Sequence, residues 1–119
     1  MGKQVEDNEL VEVAMQIILH AGDARMKVEE ALEQTKIFSF EQAKAKLVEA
    51  KECIRKAHQT QTQIIQDETR GKTYPPSLLF NHAQDTLMTI MSEFNLANSM
   101  IGLFEILDNK YSKNGGKNE

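Results

Sequence analysis

The chain has 119 residues, with 18 Asp and Glu against 14 Lys and Arg, for a net charge of −4. That length suits one domain over 1–119, and the lack of any basic run with interleaved aromatics argues against a nucleic-acid surface. The start MGKQVEDNEL is polar where a signal peptide needs an apolar core, and the lone Cys53 can form no internal disulfide. No apolar stretch nears the roughly 20 residues that span a bilayer. These features predict a cytoplasmic single-domain protein that does not insert into the membrane.

The only prolines are Pro75 and Pro76, so long unbroken helices are allowed almost everywhere. From about Asn8 to Thr35, Leu10, Val13, Ile17, Ala21, Ala24, Val28 and Ala31 fall at steps of three and four, which is one stripe along a helix. Ser39 with Gln42 has the spacing of a capping box for the next helix. That helix carries Phe40, Ala43, Leu47, Ala50, Ile54, Ala57, Gln61 and Ile64, and the loop Gly71–Pro76 ends it. Ser77 is placed to cap a third helix, which shows Ala83, Leu87, Ile90, Phe94, Ala97, Ile101 and Phe104 and is predicted to run to about Tyr111. The tail SKNGGKNE has the composition of a frayed, flexible end, leaving a core of about 8–111.

Short connections make neighbouring helices antiparallel, so the predicted fold is all-α, an up-down-up three-helix bundle. Leu79, Phe80, Met88, Met91, Met100 and Leu103 lie outside the stripe of the third helix. They widen its apolar surface beyond what two partners cover, which predicts self-association.

His82 and Asp85 are three apart on that helix and share a face with Thr86 and Thr89. A neutral imidazole can take up a phosphoryl group on nitrogen, yet His-x-x-Asp alone is a weak signal that in an arbitrary bundle more often marks a solvated strip or a satisfied histidine. His20 and His58 have no Cys or carboxylate neighbours at a metal spacing. An ion shared by His58, His82 and Asp85 is a third possibility from residue types alone. Cys53 and the six Met residues read as packing.

Three strings occur in order, one per predicted helix: Ala21-Gly22-Asp23-Ala24-Arg25, Ala57-His58-Gln59-Thr60-Gln61-Thr62, and His82-Ala83-Gln84-Asp85-Thr86-Leu87-Met88-Thr89. With these the chain resembles, from about Glu9 to Leu107, the lactose/cellobiose (diacetylchitobiose) class of enzyme IIA components of the bacterial sugar phosphotransferase system. The resemblance implies a three-helix bundle assembling as a homotrimer. It implies that His82 is the phosphocarrier, modified on Nε2, receiving the group from HPr and passing it to a cysteine of enzyme IIB for uptake of a disaccharide of the cellobiose type. It also implies that Asp85 of three subunits binds one Mg²⁺ at the trimer axis. Most of the family has a second histidine where this chain has Thr86. A helical docking or regulatory subunit of the same fold, with no catalytic role, is the alternative that Thr86 keeps open. Gln84, Thr86 and Thr89 are the local side chains able to donate to a phosphorylated His82.

Overall fold

The computed structural model describes the chain from residue 2 to 118, and its side chains from 9 to 113. Three helices, α1 Gly2–Lys36, α2 Phe40–Thr69 and α3 Leu78–Asn118, form a rod of 76 × 22 × 18 Å. The up-down-up course makes α1 and α3 parallel. The bundle is the one the sequence predicts, with longer outer helices. α1 starts at Gly2 instead of near Asn8, and α3 continues past Tyr111 through the stretch expected to fray. No proline interrupts either end, and each residue added to a nucleated helix gains a backbone hydrogen bond.

The buried side chains form two clusters along the rod. One contains Leu10, Ile17, Ile54, Ile64, Phe80, Leu87 and Ile90; the other contains Val28, Phe40, Leu47, Ala97 and Ile101. Phe94 packs against both. Ala14, Ala21, Ala24 and Ala31 on α1 and Ala43, Ala50 and Ala57 on α2 are all fully buried, and such small side chains let the helices approach closely. Two details depart from the sequence pattern. Phe80, expected to add to the surplus, is 7% exposed and belongs to the first cluster, whereas Phe104, expected inside, is 48% exposed. The pairing of Arg25 with Glu93 sets an offset of 68 residues between α1 and α3. Phe104 is therefore level with Lys36, where α1 ends and can no longer cover it.

Both junctions use the same C-terminal hydrogen-bond pattern. After α1, Ser39 N–H donates to the Gln34 carbonyl (2.9 Å) and Phe38 N–H to that of Thr35 (3.0 Å). After α2, Lys72 N–H donates to Asp67 and Gly71 N–H to Glu68, each at 3.0 Å. The left-handed residue is Gly71 in one (φ 97°) and Phe38 in the other (φ 61°). The capping box predicted at Ser39 does not form: its side chain makes no cap hydrogen bond. Its N–H, which Gln42 would have to reach, is already committed to Gln34.

Candidate functional site

At Ser77 the predicted cap is present. Phe80 N–H donates to Ser77 Oγ (3.1 Å), and Asn81 N–H makes the first helical bond to the Ser77 carbonyl (3.1 Å). This fixes where α3 starts, and so which way His82 points. The loop before it is strapped down from two sides. Tyr74 Oη donates to Asp67 of α2 (3.0 Å), while Lys72 Nζ bonds both carboxylate oxygens of Glu9 on α1 (3.1 and 3.2 Å) and lies 5.1 Å from the centre of the Tyr74 ring. Burial pushes the Tyr74 phenol up, keeping it in the neutral form that donates to Asp67.

His82 stands exposed on the second turn of α3, level with Ala14 of α1 by the 68-residue offset. Among the described residues its imidazole has no hydrogen-bond or ion-pair partner. Asp85 is also exposed and is in no ion pair among the described residues. The two threonine hydroxyls turn to the backbone. Thr86 Oγ1 donates to the His82 carbonyl and Thr89 Oγ1 to the Asp85 carbonyl, each at 2.8 Å. A hydroxyl has a single proton, so in this arrangement neither donates to a group on the His82 ring. Gln84 is half-buried and lines a cleft with Tyr74, Pro75, Phe80 and Asn81. One chain therefore presents an exposed imidazole with no side-chain donor bonded to it among the described residues.

The other candidates lie apart from this site. His58 is exposed on α2 with only a 3.4 Å contact from Thr62 Oγ1 to its Nδ1, and His20 is half-buried on α1. No three His, Cys, Asp or Glu side chains gather into a metal-holding group among the described residues, so His58, His82 and Asp85 do not share an ion within one chain. Cys53 is half-buried, and desolvation pushes its thiol up, away from nucleophilic use. Sequence reasoning missed the clamp between α1 and α3. Arg25 Nε and Nη2 bond Glu93 Oε1 and Oε2 at 3.0 and 2.9 Å, a bidentate pair that holds the helix bearing His82 in register with α1. Arg25 was visible in the AGDAR string; its partner, 68 residues away, was not.

No helix among the described residues is long and apolar enough to cross a membrane. Residues 12–105 match the family model described as "PTS system, Lactose/Cellobiose specific IIA subunit". The chain is 39% identical over 99 residues to the lichenan-specific phosphotransferase enzyme IIA component of Bacillus subtilis, covering 83% of this chain and 90% of that one. Among solved structures, the cellobiose-specific enzyme IIA from Bacillus anthracis superposes with a TM-score of 0.79 at 39% identity, over 83% of this chain and 91% of the other. The chitobiose IIA of the Escherichia coli phosphotransferase system, solved in complex with HPr, gives a TM-score of 0.72 at 38% identity, over 83% and 96%. The motif strings, the three helices and these matches agree: the chain belongs to the lactose/cellobiose-specific IIA subunit family of the sugar phosphotransferase system.

Proposed function

We propose that His82 is the phosphocarrier of this chain, taking a phosphoryl group from HPr and delivering it to a cysteine of enzyme IIB in the cytoplasm, for uptake of a disaccharide of the cellobiose type. The observation that carries this reading is the exposed imidazole without an intramolecular partner, held on a capped and clamped helix. Transfer between nitrogen and sulfur nucleophiles depends on positioning and charge more than on covalent help from the protein. In the first step the lone pair of His82 Nε2 attacks phosphorus and the N–P bond of the donor histidine breaks. In the second, the acceptor thiolate attacks, the S–P bond forms and the N–P bond at His82 breaks, restoring the imidazole. The phosphorylated ring carries about −1.5 to −2 charges. With Thr86 and Thr89 bonded to the backbone, Gln84 is the remaining local donor for that charge, and docked partners supply the others. Incubation with phosphoenolpyruvate, enzyme I and HPr tests this: the label should enter the wild type, stay out of His82→Ala, and leave when enzyme IIB is added. Label in His82→Ala would refute it.

The same reading includes a homotrimer in which Asp85 of each subunit faces a common axis and one Mg²⁺ binds the three carboxylates. Asp85 suits this role, being exposed and unpaired on a face of α3 that also exposes Leu78 (89%) and Leu96 (64%). Three converging carboxylates repel one another, and a divalent cation with oxygen ligands would offset that repulsion. Metal analysis of the assembled protein should find about one ion per three chains and none in Asp85→Asn; an unchanged metal content in that variant would place the ion elsewhere.

A further inference from the structure

A cleft of about 320 Å³ opens beside the start of α3, against the end of α2 and the loop between them. Its floor is apolar, formed by the buried side chains of Leu10, Ile64 and Phe80. Its rim is polar and unsatisfied. Among the described residues the Glu68 carboxylate is in no ion pair, and neither the Asn81 nor the Gln84 amide has a hydrogen-bond partner. Lys72, the one cation of the loop, is committed to Glu9 of α1 and does not serve as counter-ion to Glu68. The Tyr74 ring lines the cleft too, fixed by its hydroxyl on Asp67. What fits such a place is a side chain with an apolar stem and a cationic, multiply donating end. Arginine has that shape, with five N–H donors in a planar fork for a carboxylate and amide oxygens, above methylenes suited to an apolar floor. Lysine concentrates three donors at one point and meets fewer of these acceptors.

We infer that this cleft receives an arginine side chain of HPr when HPr docks to deliver the phosphoryl group. The inference rests on the His82 reading above and names a part of the surface on which the donor sits. Two observations pick the donor as occupant. Asn81 adjoins His82 in the chain and lines the cleft. One side of a specific protein interface covers about 800 Å², so a protein in contact with His82 extends over Asn81 and the cleft beyond it. The second observation is the charge. A donor that arrives with a phosphoryl group of about −1.5 to −2 charges carries cationic groups to hold it, and Glu68 is an unpaired anion on the rim that such a surface meets.

Rapid-quench rates of phosphoryl transfer from phospho-HPr to the full chain, over a range of HPr and salt concentrations, test it. Glu68→Gln, at an exposed position, keeps its helicity and its limiting rate but needs about tenfold more phospho-HPr for half that rate. Its transfer also depends less steeply on salt. Asn81→Ala shows the same change at about threefold, while Glu41→Gln, in the first turn of α2, behaves like the wild type. A Glu68→Gln protein that saturates like the wild type would overturn the inference. So would a change confined to transfer onto enzyme IIB, which would assign the cleft to the phosphoryl acceptor. HPr with its lysines acetylated should give the same ratio between wild type and Glu68→Gln; loss of that ratio would make the cation a lysine and overturn the arginine assignment. A wild type that takes up no phosphoryl group would instead refute the His82 reading beneath it.

Discussion

The two junctions of the bundle close with the same pair of backbone hydrogen bonds but place opposite kinds of residue at the left-handed position. After α2 it is Gly71, with no Cβ to strain, and the loop that follows is polar, strapped by Lys72 to Glu9 and by Tyr74 to Asp67. After α1 it is Phe38, for which a left-handed backbone costs about 1–2 kcal/mol. Its ring is 67% exposed, meets Phe40 edge-on at 6.2 Å, and lines an apolar cleft with Leu32, Met100 and Phe104. The end bearing His82 thus has an unstrained turn and a polar loop, whereas the far end has a left-handed Phe38 and an aromatic cleft beside its own cross-helix ion pairs, Lys46 with Glu30 (3.0 Å) and Lys44 with Glu105.

The largest effects should come from the cores beneath these ends. Leu87→Ala in the first cluster and Ile101→Ala in the second remove side chains that are 0% and 1% exposed, and each should lower stability to denaturant by about 2–5 kcal/mol. They lie 14 residues apart on one helix, about 21 Å, so the double variant should add to within about 0.5 kcal/mol. A large shortfall would mean that the two clusters act as one core. At the junctions, Gly71→Ala should cost about 1–2 kcal/mol because it brings a Cβ to φ 97°. Phe38→Gly should change stability by less than about 1 kcal/mol, since relief of strain offsets loss of the ring contact. If both variants lose equally, the contrast between the junctions fails. The smallest effect belongs to the strap. Tyr74→Phe removes one hydrogen bond, worth about 0.5–1.5 kcal/mol. The phenol's pKa is raised on folding, so its contribution is present below the unfolded value and lost as pH rises through the folded one. Thermal melts of the wild type and Tyr74→Phe should accordingly differ at neutral pH and begin to converge only once the pH passes about 10, the unfolded value.

The polar junction was also the legible one. Gly71, Pro75, Pro76 and Ser77 announce a loop and a cap by residue type alone, and all behave as read. The first junction misled because Ser39 and Gln42 have the spacing of a capping box, and nothing local reveals that the Ser39 N–H is taken by Gln34. The helical stripes survived almost intact, since a period of 3.6 fixes which face is buried without knowledge of the partner. They failed at Phe104, where the end of another helix decides exposure. At the site, His82 and Asp85 stand out from their string alone, and both are exposed. The Arg25–Glu93 clamp, the Lys72–Glu9 bond and the inward turn of the Thr86 hydroxyl depend on contacts or rotamers that spacing does not encode.

The central claim is that His82 carries the phosphoryl group, and intact mass spectrometry after incubation with phosphoenolpyruvate, enzyme I and HPr tests it most directly. The account predicts a single acid-labile phosphoryl gain in the wild type and none in His82→Ala, with both proteins equally helical. An unmodified wild type beside demonstrably phosphorylated HPr, or an equal gain in the variant, would contradict it.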